Sequence, residues 1–192
     1  MKTDLSAALR PALVLTLLFA LLLGIGYPLA MTGIGQLLFP GAANGSLVTE
    51  NGKVIGSTVV GQAFVSDRYF QTRPSAAGKG YDGLSSSGSN LGPASQALVD
   101  RVGPDVERRR AEGVDAIPAD LVTASGSGLD PDLSPAAAIV QVPRIAGVRN
   151  LPPSAVRALV ERSIEAPVAG ILGEPRVNVL ALNRALDRLG AS

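Results

Sequence analysis

The first part of the chain contains the apolar stretch ALVLTLLFALLLGIGYPLA, from Ala12 to Ala30. Between Arg10 and Glu50 the only ionisable side chain is the phenol of Tyr27. As an α-helix these 19 residues would be about 28 Å long, which is close to the hydrocarbon thickness of a bilayer. The eight leucines among them contribute roughly −2 to −5 kcal/mol to membrane insertion. The stretch therefore predicts a transmembrane helix.

A cleaved secretory signal peptide is the main alternative, because Lys2 and Arg10 precede the apolar run as basic residues do in such peptides. The run is too long for a signal peptide, since it continues through Met31 to Phe39, and no small-x-small cleavage site closes it. A retained anchor is therefore favoured. The predicted organisation is an N-terminal segment over 1–11, an anchor and exit segment over 12–39 and a domain over 40–192.

The charges that flank the anchor predict its orientation. Lys2, Arg10 and the terminal amine precede it with one acid, Asp4, whereas no charge follows it until Glu50. Positively charged flanks stay on the cytoplasmic side of a membrane. We therefore expect a single-pass protein of the cell (inner) membrane, with a cytoplasmic N-terminus and an extracytoplasmic C-terminal domain.

Composition limits what that domain can do. The 192-residue chain has 17 basic and 16 acidic residues, so no net positive charge favours nucleic acid, and its one basic run, Arg108 to Arg110, is predicted to be a solvated helix face. The chain has neither histidine nor cysteine. Nucleophile systems that need imidazole or thiolate, and zinc sites built from them, are therefore excluded. We predict no catalytic residues and no metal site, and a Ser-Lys dyad is left as a minor enzymatic alternative.

Local patterns predict an α+β domain in which helices predominate beside a small antiparallel sheet. The segment Ser46 to Ser57 reads SLVTENGKVIGS, and its Asn51-Gly52 pair is typical of a type I′ hairpin turn. Val59 to Val65 is a candidate third strand. Gln71 to Gly92 is rich in glycine and serine and is predicted to be a long loop, either a flexible excursion or a functional segment.

The rest of the domain is predicted to be mostly helical. Asp120 to Ala124 is expected to form a short strand, followed by a tight turn from Ser125 to Gly128. The predicted helices are Ala94 to Glu112 with a bend at Gly103-Pro104, Ser134 to about Val148 with a possible kink at Pro143, one from near Pro153 that ends before Pro167, and Asn178 to Gly190.

Three segments, taken together, resemble one known family. They are YFQTRPSA at Tyr69 to Ala76 with GSNLGP at Gly88 to Pro93, then DLVTASGSGLDP at Asp120 to Pro131 running into SPAA, and GEPRVNV at Gly173 to Val179. Their order and spacing resemble the C subunit of the bacterial Kdp-type potassium-transporting ATPase, and the resemblance spans nearly the whole chain, anchor included.

The resemblance implies a non-catalytic accessory subunit of an ATP-driven, high-affinity potassium uptake complex. Its implied partners are a potassium-channel-like subunit, a P-type ATPase subunit and a small accessory subunit. The implied role is to assemble or stabilise the complex and to raise the nucleotide affinity of the ATPase subunit, so that no cofactor binds this chain firmly and ATP acts through the complex.

The resemblance also implies candidate site residues. The run Ser87, Gly88, Ser89 and Asn90 corresponds to a glycine-serine stretch likened to nucleotide-contacting loops, and it is expected to be nucleotide-related or to contact a partner. Ser87 stands where the family commonly has glycine, and its Cβ restricts the approach of the backbone to phosphate. Arg73, Asp130 and Arg176 lie in the matched motifs and are candidates for partner binding.

A second class of function is left open by the residues alone. In this alternative the chain is a stand-alone, membrane-anchored protein that captures a ligand with the loop Gly80 to Gly92. It would purify alone and keep its ligand affinity, whereas an accessory subunit would purify with a P-type ATPase.

Overall fold

The computed structural model describes residues 2–190 of the chain, and its side chains from Ala7 to Gly190. These residues form two compact units that divide between Leu47 and Val48. The first unit is the predicted anchor with its exit segment. The second unit contains all of the mixed α and β structure beyond the first residue of the hairpin.

The first unit is one long helical segment. It comprises α1 (Lys2–Leu21), a π-helical turn (Leu22–Gly26) and α2 (Tyr27–Leu38), and the short helix α3 (Pro40–Ala43) follows. Its part from Ala7 to Leu38 has a mean hydropathy of 2.3 over its most apolar window, and none of that window is buried inside the protein. A single apolar N-terminal helix of this length fits a single-pass membrane protein.

Pro28 explains the wider turn within this helix. Proline has no N–H to donate, and its ring crowds the carbonyl group four residues earlier. The backbone N–H of Tyr27, the residue before it, donates to the carbonyl of Leu22, five residues back, which is a π-type hydrogen bond. The helix therefore passes the proline by widening one turn and does not end there.

The hairpin at the start of the second unit is confirmed. It consists of β1 (Leu47–Glu50) and β2 (Lys53–Ser57), which pair with each other. Asn51 and Gly52 have φ values of 49° and 76°, as a type I′ turn requires. The suggested third strand at Val59 to Val65 is wrong, because this segment forms no strand. A second two-stranded antiparallel sheet joins β3 (Asp132–Leu133) to β4 (Val177–Asn178).

The helices of the domain match the predicted ones at most of their ends. They are α4 (Gln96–Ala111), α5 (Pro135–Ile139), α6 (Val142–Arg149), α7 (Pro153–Arg162) and α8 (Val179–Leu189). The helix starts predicted at Ser134 and Asn178 are confirmed, and both residues act as N-caps: Ser134 Oγ accepts from the N–H of Ala137, and Asn178 Oδ1 accepts from the N–H of Ala181.

Two predicted elements are corrected. The single helix from Ser134 to Val148 is divided into α5 and α6, because Pro143 cannot donate to the carbonyl of Ile139 and the first helix ends there.

The expected strand at Asp120 to Ala124 is instead a 3₁₀ turn, Ala119–Leu121. The Asp120 carboxylate accepts from both the N–H and the hydroxyl of Ser134 and so favours the turn, while Leu121 is buried. Helix α4 continues through Gly103 and Pro104, and the bend expected at these residues stays a prediction.

The segment between β2 and α4, residues 58–95, forms no helix or strand, yet two buried side-chain amides fix its middle. Asn183 on α8 accepts from the N–H of Phe70 at 2.8 Å and donates to its carbonyl at 3.0 Å. Gln141 does the same for Gln71, at 2.8 Å and 3.1 Å. Each amide thus satisfies a backbone donor and acceptor as a neighbouring strand would. The predicted loop from Gln71 to Gly92 is confirmed, and hydrogen bonds to the rest of the domain fix its first residue.

The core of the domain forms between the helices, beneath that segment. One face of α8 is apolar and packs into this core, since Val179, Leu182 and Leu186 are fully buried. Buried side chains from the rest of the domain complete this core: Phe70, Leu121, Leu133, Ala137, Ala138, Val142, Ile145, Ala146, Val156, Leu159, Val160 and Val177.

The apolar segment predicts a specific insertion defect. Replacing Leu18 by arginine in the middle of the span should cost about 3 kcal/mol of insertion free energy, because a guanidinium must be moved into hydrocarbon. The measurement is the fraction of the protein that resists extraction from membranes by alkaline carbonate. Leu18→Ala is the matched control, and equal membrane fractions for the two variants would contradict the assignment of this helix to the bilayer.

Candidate functional site

The three predicted partner-binding residues, Arg73, Asp130 and Arg176, all line one open cleft of about 430 Å³ in the second unit. They come from three separate parts of the sequence: the long loop, the segment before β3 and the residue before β4. Its other polar lining residues are Asp120, Asp132, Ser134 and Glu174.

An ion pair between Arg73 and Asp130 forms one side of the cleft. Arg73 Nη1 lies 2.8 Å from Asp130 Oδ2, and the two side chains are 24% and 27% exposed. The other carboxylate oxygen of Asp130 accepts from the N–H of Asp132. The hydroxyl of Tyr81 donates a hydrogen bond to the backbone carbonyl of Arg73 and so helps to fix the position of this residue. The pair is rigidly positioned but remains accessible to solvent.

Arg176 forms the other side and joins two carboxylates. Its guanidinium lies 3.2 Å from Asp132 and 3.0 Å from Glu165, and its side chain is more than half exposed. Asn178 supports this arrangement, because its Nδ2 donates to Asp132 Oδ1 and to the carbonyl of Thr58. The cap of α8 is therefore also the link between the cleft and the segment that follows the hairpin.

Burial raises the pKa of Asp132 above its ordinary value. The hydrogen bond from Asn178 and the charge of Arg176 act in the opposite direction, while the neighbouring carboxylates of Asp130 and Glu165 raise this pKa further. Because the pKa of Asp132 is raised, the charge of the cleft changes as this carboxylate ionises at a higher pH than an ordinary aspartate.

The other predicted group, Ser87 to Asn90, lies against the turn Ser125 to Gly128 and does not line the cleft. The N–H of Ser87 donates to the carbonyl of Ser127 at 3.0 Å, and the hydroxyl of Ser86 donates to the same oxygen. The backbone N–H of Ser87 is therefore already hydrogen-bonded within the protein. The turn continues directly into Asp130, so the loop is linked to the cleft through its hydrogen bonds to this turn.

Gly128 allows the two loops to approach each other. Its φ is +67°, and a Cβ placed on it would lie 2.6 Å from the backbone nitrogen of Ala77 and 2.7 Å from the carbonyl oxygen of Ser87. No other residue type fits both the conformation and the space. Nearby Gly126 differs, because a Cβ placed there would meet no atom within 4 Å.

Arg109 contradicts the predicted solvated face of the arginine run. Its side chain is only 2% exposed, and it contacts Glu112 at 3.0 Å and the Gln71 side-chain oxygen at 3.0 Å. Arg144 donates to Gln141 beside it. The only sequence signal for this buried polar network was the alternation of acids and arginines on α4, which is equally typical of an exposed helix.

Comparison with known proteins places this architecture in one family. The family model described as the K⁺-transporting ATPase, c chain, matches residues 9–188, which include both the apolar helix and the cleft. The chain belongs to this family. Membership confirms the resemblance carried by the three motif segments.

Individual relatives cover nearly the whole chain. A potassium-transporting ATPase KdpC subunit from Caulobacter vibrioides is 57% identical over 182 residues, or 93% of this chain and 92% of the relative. One from Bradyrhizobium diazoefficiens is 52% identical over 196 residues, or 95% and 98% of the two chains. One from Acidobacterium capsulatum is 55% identical over 183 residues, or 94% and 98%.

The contact at Gly128 predicts a stability difference between two glycines of one turn. Gly128→Ala should destabilise the domain by roughly 2 to 4 kcal/mol, because the side chain adds left-handed strain and a clash with backbone atoms. Gly126→Ala is the matched control and should have little effect. Thermal unfolding of the detergent-solubilised chain, followed by circular dichroism, measures both, and equal Tm values would contradict the interlocking of the two loops.

The raised pKa of Asp132 predicts how the stability of the domain changes with pH. Folding raises this pKa. The contribution of Asp132 to the free energy of unfolding is therefore fully present below its unfolded-state pKa of about 4, and it is lost as the pH rises through its folded-state pKa. Asp132→Asn should therefore gain Tm relative to the wild type as the pH rises from about 4 towards neutrality. A Tm difference that stayed constant across this range would contradict the effect of burial.

Proposed function

We propose that this chain is a non-catalytic accessory subunit of an ATP-driven potassium uptake complex of the inner membrane. The observation that carries the proposal is the family match across 9–188, which covers the anchor and the cleft together. The absence of histidine and cysteine supports a role other than nucleophilic catalysis. The basic N-terminal flank supports a cytoplasmic N-terminus and an extracytoplasmic domain.

The proposed partners are a potassium-channel-like subunit, a P-type ATPase subunit and a small accessory subunit. The cleft of Arg73, Asp130 and Arg176 is the proposed contact surface for one of them. Its charged side chains form ion pairs but remain accessible to solvent. A partner can therefore make further polar contacts with them without breaking a buried ion pair, which would be costly. Complementary charges at such a surface fix the orientation of a partner.

The chain is further proposed to raise the nucleotide affinity of the ATPase subunit from a distance. An extracytoplasmic domain does not meet cytoplasmic ATP, so the effect must be transmitted through the membrane subunits. A coupling free energy of about 1 to 3 kcal/mol changes affinity by roughly 5- to 150-fold and needs no contact with the nucleotide. The engagement of the Ser87 N–H with Ser127 favours a partner-contacting role for Ser87 to Asn90 over direct phosphate binding.

Deletion of the gene tests the proposal. Cells without the chain should lose potassium uptake at micromolar external potassium, and the wild-type gene supplied in trans should restore it. A tag after Ser192 should also recover the other subunits from detergent extracts. Normal uptake without the chain, or its purification alone, would contradict membership of the transport assembly.

The nucleotide effect is tested in the same strains. The complex purified with the chain should bind nucleotide roughly 5- to 150-fold more tightly than the preparation without it. Fluorescent nucleotide titration of the ATPase subunit measures the ratio. Equal affinities would leave a purely structural role and would overturn the coupling.

A further inference from the structure

A short hairpin between α7 and β4 exposes apolar side chains at its end. Glu165 pairs with Arg176 and Val168 pairs with Leu172 in antiparallel bridges. Val168, Ile171 and Leu172 are 65%, 82% and 65% exposed, and they are called the apolar tip below. No ionisable side chain lies between Glu165 and Glu174. Three neighbouring apolar side chains on one hairpin are costly in water unless something covers them.

The backbone of the tip is already satisfied internally. The N–H groups of Val168 and Leu172 each donate to the other's carbonyl, at 2.9 Å and 3.0 Å. Those of Gly170 and Ile171 donate to the carbonyl groups of Pro167 and Val168. Most of the donors at this end therefore need no water, and the tip can enter an apolar environment at little cost in hydrogen bonds.

The charges at the base of the hairpin distinguish between possible occupants. Glu165 is paired with Arg176, whereas Glu174 is exposed and makes no ion pair among the described residues. The base therefore carries an excess negative charge, which disfavours an anionic lipid surface. The segment also lacks the aromatic and basic side chains with which loops anchor at lipid interfaces.

A second copy of the chain is disfavoured by area and charge. Three side chains fall well short of the roughly 1,000 Å² that a stable interface buries. Two tips facing each other would also bring the Glu174 carboxylates together. A small contact is sufficient, however, when both partners are held in the same membrane assembly, because the second contact is then intramolecular.

We propose that the apolar tip inserts into an apolar pocket on another subunit of the transport assembly, and that a cationic side chain at the pocket rim pairs with Glu174. This inference rests on the proposed function, since it needs an assembly to which the chain belongs. The tip is the anchoring contact, and the exposed carboxylate beside it sets the orientation.

Photo-crosslinking from Ile171 tests the contact. A benzophenone amino acid at this position, in membranes that contain the whole complex, should give an adduct that mass spectrometry identifies as another subunit of the same ATPase. Val65 is the matched control, because its side chain is 88% exposed in a segment to which no partner contact is assigned. Adducts with lipid only, adducts with a second copy, no adduct, or equal adducts from both positions would overturn the proposal.

A pair of charge substitutions measures what the contact contributes. Ile171→Asp should reduce the amount of partner subunits recovered with the tagged chain about fivefold or more, as loss of an anchoring side chain does. Val65→Asp should leave recovery unchanged, and equal recovery for both would overturn the proposal. If the wild-type chain recovers no partner, the proposed function itself fails. If it does and Ile171→Asp changes nothing, only the tip inference fails.

Discussion

The domain depends on two buried side-chain amides that take the place of a missing β-strand. Asn183 and Gln141, both 2% exposed, each bond to the N–H and the carbonyl of one residue in the segment at Phe70 and Gln71. Without them these backbone groups would be left unsatisfied beside the core, at a cost of about 1 to 3 kcal/mol each. Phe70 could not then remain fully buried.

The cleft is a consequence of that constraint. Arg73 follows the fixed segment by only two residues, and the turn Ser125 to Gly128 receives the loop on its other side. Asp130 is thereby presented to Arg73, while Asn178 brings Asp132 and Arg176 together at the start of α8. A loop without regular structure can thus present charged groups as precisely as helices do, because its hydrogen bonds are made to rigid elements.

Much of the fold was predictable wherever the signal is local. The type I′ turn at Asn51-Gly52 and the Ser134 and Asn178 caps each depend on residues within one turn of the chain. The prediction failed where a distant group competes. Leu121 lies in a segment with strand propensity but forms a 3₁₀ turn, because the Asp120 carboxylate accepts hydrogen bonds from Ser134. The motifs identified Arg73, Asp130 and Arg176 as candidate site residues, but their spacing in the sequence did not predict that all three line one cleft.

The sequence by itself determined the membrane-spanning helix, because a run of apolar side chains of that length has one stable solution in a bilayer, whatever the rest of the chain does. Only the tertiary structure decided which polar residues are buried. Arg109 lies beside two other arginines that remain exposed, and its burial follows from the packing of α4 against Gln71, while Glu112 pairs with it from three residues further along the chain. Burial of a charge depends on partners that packing brings together from distant parts of the chain, and no local pattern encodes that meeting.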